Sequence, residues 1–264
     1  MSPHRNYRSV STDMIRTRSG RSLQPQIILE CDGVEWLCIL ASHEDWVVKC
    51  SAALIFERIS SAAHAWLAHR ATGIIPAVVS LAEDANHMTR QHAKYALAAL
   101  SKYEVFQSRI IMQSELRSMI AGRAEDGIPE KRLTSVILRH LSASDACRRV
   151  LLEEDPSGFS VLQEVLALLV LKDSEITMNL AYVISDMSLD EPNMALLTRQ
   201  EVVATVIEWG VSEDETLQLN AAITLENLAS YQPAYALLVS LGAVPVLINP
   251  LAASQSADTV RHAV

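Results

Sequence analysis

A nine-residue segment recurs five times along the chain at nearly constant intervals. The copies read AALIFERIS, AKYALAALS, TSVILRHLS, LAYVISDMS and AAITLENLA, and they end at residues 60, 101, 142, 188 and 229. Successive copies are therefore separated by 41, 41, 46 and 41 residues. A period of about 40 residues is typical of chains that stack one small structural unit, because such a unit buries its apolar face only against a neighbour.

The apolar places within this nonapeptide have the spacing of an α-helix. Places one, five and eight are related as i, i+4 and i+7, which puts them on one helical face. Place five holds Phe56, Leu97, Leu138, Ile184 and Leu225, and place eight holds Ile59, Leu100, Leu141, Met187 and Leu228. Glycine (8 residues) and proline (9 residues) are scarce, which also favours helix. The sequence predicts an all-α protein with long helices at about 43–62, 84–103, 129–143, 174–189 and 213–230.

Segments between the long helices repeat as well. Gly73–Pro76 (GIIP) and Gly242–Pro245 (GAVP) each precede an apolar stretch, and proline suits the first turn of a helix. Ser212 and Glu215 form a capping-box pattern before the last long helix. The single interval of 46 residues indicates an insertion of about five residues, which we expect near residues 155–158.

These residues resemble the armadillo repeat, in which a short helix and a second helix precede a long third helix. The most complete copy is at residues 213–252, and the resemblance covers about residues 23–264. It implies an all-α, armadillo-type right-handed α-solenoid of about five to six three-helix repeats, with the last repeat incomplete. Residues 1–22 contain five Arg, five Ser and one acidic residue, and we expect a disordered basic N-terminal arm there. Three roles are compatible with this composition: a tail that binds a partner, a segment that docks on the acidic residues 153–230 of the same chain, or a targeting leader.

The resemblance also implies which places of the nonapeptide face a concave groove, namely three and seven. Armadillo proteins that bind extended peptides often have Trp and Asn there. Here the two places hold one Asn and no Trp, which disfavours a nuclear-import cargo receptor. The predicted partner-binding groove consists of Arg58, Tyr95, His140, Tyr182, Asp186, Glu226 and Asn227.

Charge is concentrated in one part of the chain. Residues 153–230 contain fifteen acidic residues against two basic ones, Lys172 and Arg199, while the whole chain has a net charge of −9. One interpretation is a solvated acidic face that aids solubility. The other is a surface for a basic partner segment. The excess of negative charge in residues 153–230 repels the phosphate groups of nucleic acids, so we expect no nucleic acid to bind this half of the chain.

The sequence lacks the motifs of catalysis and of cofactor binding. It has no Gly-rich phosphate loop, G-x-S-x-G elbow or H-E-x-x-H motif, so we predict neither an enzyme nor a cofactor. No C-x-x-C pair is present, so we predict no metal site and interpret the four cysteines as reduced, buried thiols. No apolar run is long enough for a membrane span. We expect the four tryptophans in the core, with exposed interface anchors as the alternative: Trp36, Trp46, Trp66 and Trp209.

These observations favour a non-enzymatic scaffold or adaptor that presents a groove to other proteins. The alternative is a structural subunit buried in a large assembly. We expect a cytoplasmic protein. The alternatives are a nuclear location, or an organellar one if residues 1–22 are a targeting leader. The last helix breaks off early and should leave four apolar residues uncovered, Leu225, Leu228, Val246 and Leu247. This predicts self-association or partner contact at the C-terminal end.

Overall fold

The computed structural model describes residues 33–62, 73–152, 160–251, 253–254 and 256–263, and its regular elements are helical throughout these ranges. The chain divides into two compact units, unit 1 (1–137) and unit 2 (138–264), with the division inside one helix. Several predictions fall outside the described residues. They are the N-terminal arm, the insertion near 155–158, Cys31 and Trp66.

In unit 1, the helices are α1 (Gly33–Ala41), α2 (Trp46–Ala62), α3 (Ile74–Ala82), α4 (His87–Leu100), α5 (Glu104–Ile111) and α6 (Leu116–Ala121). Helix α7 (Ile128–Ser142) contains the division between the units. Within unit 1, α2 packs along α4, while α3 packs against α4 and α1 against α2.

In unit 2, the helices are α8 (Asp145–Leu152), α9 (Val161–Leu169), α10 (Ser174–Met187), α11 (Met194–Leu197), α12 (Gln200–Gly210), α13 (Glu215–Ala229), α14 (Tyr235–Leu241), α15 (Ala243–Val246) and α16 (Ala257–Ala263). Short 3-10 turns precede α11 and α14, and a π-helical turn (Leu247–Leu251) follows α15. Helix α13 packs against α10, α12 and α16. The five predicted long helices are α2, α4, α7, α10 and α13.

The core consists of the apolar face that the repeat predicts. All ten residues at places five and eight of the nonapeptide are at most 2% exposed. Burial of each large aliphatic or aromatic side chain contributes about 1.5–3 kcal/mol. The helical periodicity of the sequence therefore identifies this core correctly.

The serine at place nine has a structural role at the end of three long helices. Its buried hydroxyl lies within 3.1 Å of the carbonyl oxygen three residues earlier, in Ser101, Ser142 and Ser188. A polar side chain from the next helix donates to a carbonyl in the same turn, from Gln107, Arg148 and Asn193. The last carbonyls of a helix have no partner within that helix. Each of these helix ends is therefore capped by the repeat that follows.

Three of the long helices begin at side-chain caps. Asn86, Asp173 and Asp214 accept hydrogen bonds from backbone N–H groups in the first turns of α4, α10 and α13. Ser212 instead accepts a hydrogen bond from the N–H of Asp214 at 3.1 Å. The capping-box pattern starting at Ser212 was therefore wrong, because the helix begins two residues later and the Asp214 carboxylate reaches the free N–H groups.

Two of the tryptophans contradict the expectation of burial. Trp209 is 5% exposed and belongs to the core, whereas Trp36 and Trp46 are 58% and 54% exposed. Trp36 lies on α1 and Trp46 opens α2, outside the apolar faces that these helices bury. Of the three described cysteines, Cys147 is buried while Cys38 and Cys50 are only half-buried, and all are free thiols.

A buried charge cluster joins two successive repeats within unit 1. Asp126 lies between Arg90 and Lys94 of α4, and all three side chains are at most 2% exposed. Arg90 Nε donates to Asp126 Oδ1 at 2.9 Å, and Lys94 Nζ donates to Asp126 Oδ2 at 3.2 Å. Lys94 also donates to Thr134 Oγ1 at 3.2 Å. The periodicity of the sequence did not predict this cluster, because it identifies only apolar faces. Burial of a charged residue instead depends on a partner elsewhere in the chain.

The C-terminal end differs from the expectation in detail. Leu225 and Leu228 are fully buried and Val246 is 7% exposed, and α16 packs on α13 despite its short length. The prediction that these three side chains remain uncovered was wrong. Leu247 is half-buried, and other apolar residues of the last repeat are exposed instead.

Candidate functional site

Unit 2 brings four of the predicted groove residues onto two neighbouring long helices. Tyr182 and Asp186 are one turn apart on α10, and Glu226 and Asn227 are consecutive on α13, which packs against α10. Glu226 is exposed, and the other three are half-buried. We call this region the α10–α13 surface, and it includes the C-terminal end of α7 from Arg139 to Ser142.

Tyr182 is already in contact with a cation of the chain itself. The guanidinium carbon of Arg139 lies 3.8 Å from the centroid of the Tyr182 ring, within the range of a cation–π interaction. Arg139 Nη1 also donates to Asn179 Oδ1 at 3.3 Å. One face of the Tyr182 ring is therefore occupied by Arg139.

Asp186 is a half-buried carboxylate whose charge is only partly compensated. Ser142 Oγ lies 2.7 Å from Asp186 Oδ2 and 3.0 Å from the carbonyl oxygen of Arg139, and it has one proton for both acceptors. Burial raises the pKa of Asp186, while the hydrogen bond from Ser142 and the charges of Arg148 and Arg139 oppose this shift without cancelling it. A further cation at this carboxylate would relieve the cost of burial.

The two predicted residues on α13 also have partners within the protein. Asn227 Nδ2 donates to Ser188 Oγ at 2.9 Å, which links the C-terminal ends of α13 and α10. Glu226 Oε2 lies 2.5 Å from Nδ1 of His262 on α16. The Glu226 side chain remains 51% exposed, so its other oxygen is accessible to solvent.

The remaining predicted residues are distributed over other elements. Arg58 on α2 is exposed and Tyr95 on α4 is 42% exposed, both within unit 1. His140 follows Arg139 at the end of α7 and is half-buried. Unit 1 also pairs two long helices through His92 Nδ1 and Glu57 Oε2 at 2.6 Å.

Sequence analysis missed Arg139 and Ser142, although both contact predicted residues. Arg139 is at place six of its nonapeptide, where the equivalent residues are Glu57, Ala98, Ser185 and Glu226. A lone basic residue at a place that is otherwise acidic or small was the available signal. Ser142 was interpreted only as a small residue at a close turn, and its hydroxyl was overlooked as a donor.

Two features are absent from the residues that the structure describes, a metal-ligand cluster and a membrane-spanning helix. Within them, no three His, Cys, Asp or Glu side chains are grouped closely enough to hold a metal ion. None of the described helices is both long and apolar enough to span a bilayer. The α10–α13 surface combines carboxylate, amide, hydroxyl and aromatic groups, which are suited to contacts with cationic and amide groups of another chain.

Comparison with known proteins gives a clear result for structures and none for sequences. No protein-family model matches the sequence, and neither does any curated protein. A computationally designed armadillo repeat protein for modular peptide recognition superposes with a TM-score of 0.75 at 16% identity, over 87% of this chain and 96% of that chain. A designed armadillo repeat protein in complex with the peptide (KR)4 gives 0.72 at 15% identity, over 87% and 96%.

The chain has the armadillo-repeat fold. An engineered protein also superposes with a TM-score of 0.77 at 19% identity, over 96% of this chain and 66% of that chain. Together with the helix boundaries, these similarities confirm the predicted all-α armadillo-type solenoid. At identities below 20% they show the fold of this armadillo-type chain, and its binding properties follow from its own residues.

Proposed function

We propose that this armadillo-type protein is a non-enzymatic scaffold that holds a basic, extended segment of a partner protein on the α10–α13 surface. The observation that carries the proposal is Asp186, a half-buried carboxylate whose pKa burial raises and whose hydrogen bond comes from a shared hydroxyl. A lysine or arginine of a partner would give Asp186 a charge-assisted hydrogen bond, which is about twice as strong as a neutral one.

Two further observations support a basic partner. The acidic excess of the chain falls in residues 153–230, which contain both helices of the surface, and such a field attracts cationic segments. A structurally similar designed protein is complexed with a peptide of alternating lysine and arginine. The (KR)4 peptide is therefore a suitable probe for this chain.

We expect Asp186→Asn to weaken binding of (KR)4 about tenfold, which corresponds to about 1.4 kcal/mol. The substitution keeps the shape of the side chain but removes the charge that a basic ligand neutralises. Isothermal titration calorimetry at fixed ionic strength measures this change. Glu208→Gln is the matched control, because Glu208 is an exposed acid on α12 and its loss changes the net charge equally.

For the control we expect a change of less than about twofold, as for an isolated exposed charge. Equal losses in both variants would mean that only net charge matters, and the proposed site would then be wrong.

A stability measurement gives an independent check. Because the pKa of Asp186 is raised on folding, its ionised form disfavours the native state, so Asp186→Asn should not lower the free energy of unfolding near neutral pH.

The affinity for (KR)4 should also decrease as the pH falls. Protonation of Asp186 removes the anion, and the raised pKa places this loss above the pH at which an ordinary aspartate titrates. Titration of the wild type and of Asp186→Asn at several pH values tests this expectation. The proposal predicts that the difference between the two proteins disappears as the pH falls, and a constant difference would contradict it.

Arg139→Gln is expected to strengthen (KR)4 binding about threefold to tenfold. It removes the guanidinium that covers Tyr182, and a cation–π contact is worth about 0.5–2 kcal/mol to an incoming cation. Arg149→Gln, at an exposed position on α8, changes the net charge identically without opening the ring. If both arginine variants strengthen binding equally, Tyr182 has no part in recognition.

A further inference from the structure

Successive long helices contact each other through polar pairs at equivalent places of the repeat. In unit 2, Arg139 at place six of one nonapeptide donates to Asn179, which directly precedes place one of the next copy. In unit 1, Glu57 at place six lies 2.6 Å from Nδ1 of His92, which also directly precedes place one of the next copy. The two pairs are thus related by the repeat, although one begins with a cation and the other with an anion.

A tyrosine follows the second member of each pair by one helical turn. Tyr182 is three residues after Asn179. Tyr95 is likewise three residues after His92, and residues three apart are neighbours on the surface of a helix. In unit 2 the residue at place six covers the ring, because the guanidinium carbon of Arg139 lies 3.8 Å from the centroid of Tyr182. Unit 2 therefore shows which group this arrangement accommodates, a guanidinium stacked on the tyrosine.

The equivalent ring in unit 1 has an anion beside it in place of a cation. Glu57 is at the position equivalent to Arg139, and its carboxylate contacts a side chain one turn from Tyr95. Tyr95 is 42% exposed, and its ring contacts no cation and no second ring among the described residues. The Glu57 side chain is 28% exposed. An open aromatic face and an accessible carboxylate both attract a cation.

Apolar side chains on the same face suit the aliphatic stem of a long basic residue. Met88, His92 and Tyr95 are related as i, i+4 and i+7 on α4 and therefore share one face. Met88 is 39% exposed, and Val47 at the equivalent place of α2 is 49% exposed. Arginine packs its methylene groups on apolar surface while its charged end makes polar contacts. The surroundings of Tyr95 thus favour a long cationic side chain over a small ammonium ion.

We propose that Tyr95 and Glu57 form a site for an arginine side chain of a partner protein, which we call the Tyr95 site. The guanidinium stacks on the Tyr95 ring and donates to Glu57 Oε1, while Glu57 Oε2 stays in contact with His92. The partner thus supplies the group that Arg139 supplies at the equivalent position of unit 2. The Tyr95 site lies within unit 1 and does not rest on the function proposed for the α10–α13 surface.

Nuclear magnetic resonance of the full chain with isotope-labelled tyrosine rings tests the proposal, with (KR)4 as the probe. Tyr95→Phe identifies the signals of Tyr95. These signals should shift saturably as the peptide is added, and the arginine side-chain protons of the peptide should show nuclear Overhauser effects to the ring. The signals of Tyr182 report separately, so a response at Tyr95 without one at Tyr182 would contradict the α10–α13 proposal alone.

Glu57→Gln should weaken the affinity read at Tyr95 about fivefold, because it removes the charge and keeps a polar group beside His92. Glu125→Gln is the matched control, since Glu125 is an exposed acid elsewhere in unit 1 and its loss changes the net charge equally. The control should change this affinity less than about twofold. Equal losses in the two variants would overturn the proposal.

Arg58→Gln is a second variant that leaves the contact between Glu57 and His92 intact. Arg58 is exposed and follows Glu57 on α2, so its removal takes away a like charge near the bound guanidinium. It should strengthen the affinity read at Tyr95 about twofold to threefold. Lys102→Gln, at an exposed position after α4, is its control and should leave the affinity unchanged. Equal gains in the two variants would contradict a site at Tyr95.

A changed peptide tests the chemical class of the ligand. Citrulline keeps the shape of arginine without its charge, so (KR)4 with every arginine replaced by citrulline should lose its contacts with the Tyr95 ring. Retained contacts would overturn the assignment to a guanidinium. Tyr95 signals that do not respond to (KR)4 at any concentration would overturn the site itself.

Discussion

Asp126→Asn is expected to lower the free energy of unfolding by about 3–5 kcal/mol, the usual cost of removing one partner from a buried ionic cluster. The substitution leaves the charges of Arg90 and Lys94 buried with no carboxylate between them. Because the cluster joins residues 36 positions apart, its loss weakens the contact between successive repeats of unit 1. Urea titration followed by far-UV circular dichroism measures the change.

Two controls separate this effect from a general loss of negative charge. Glu125→Gln changes an exposed neighbour in the same loop and should alter the free energy of unfolding by at most about 0.5 kcal/mol. Lys94→Met leaves Asp126 balanced by Arg90 and should cost less than Asp126→Asn. Burial lowers the pKa of Lys94 even against the attraction of Asp126, so this ammonium is the more expendable cation. A larger loss in Lys94→Met than in Asp126→Asn would contradict this account.

The cluster also has a defined pH dependence. Burial alone would raise the pKa of Asp126, but the charge of Lys94 and the hydrogen bonds from Arg123, Arg90 and Lys94 lower it below that of an ordinary aspartate. The stabilisation is therefore present above the pKa of the unfolded chain and is lost as the pH falls through the lower folded value. The Asp126→Asn variant should lack this component of acid unfolding.

Arg148→Met is expected to lower the free energy of unfolding by about 3 kcal/mol. The Arg148 side chain is 4% exposed, and it donates from Nη1 to the carbonyl oxygen of Ser142 at 2.7 Å and from Nε to Asp190 Oδ2 at 2.8 Å. Methionine fills part of the space but leaves a helix-terminal carbonyl and a partly buried carboxylate without these donors. The measurement is again equilibrium unfolding in urea.

The adjacent residue provides the control for this prediction. Arg149 belongs to the same helix but is exposed, so Arg149→Met should change the free energy of unfolding by at most about 0.5 kcal/mol. Equal losses in the two variants would show that Arg148 acts through net charge alone. A selective loss in Arg148→Met would show that the guanidinium caps α7 and anchors the next repeat.

The two classes of charged residue in this protein thus have opposite consequences for stability. Asp126 and Arg148 have several strong partners, and their removal should destabilise the repeats that they join. Asp186 is half-buried with a raised pKa, and its neutralisation should preserve the fold while it weakens the binding of a basic ligand. Groups with perturbed pKa values and incomplete compensation are candidates for function, whereas fully paired ones are structural.

The sequence alone determined the helical class, the 41-residue unit and the faces that form the core. This was possible because burial on a helix follows local periodicity. The spacing of apolar residues therefore predicts that Phe56, Leu97 and Ile184 lie on the buried face of their helices. The interval between copies then identified the solenoid. Both signals can be identified from the order of residues along the chain.

Only the tertiary structure decided which residues meet across repeats. Ser142 contacts Asp186 from 44 positions away, and Asn227 reaches Ser188 across 39. Such pairings depend on the rotation and offset between stacked units, which helical periodicity does not encode. For the same reason the exposure of Trp36 and Trp46 became visible only in the packed chain.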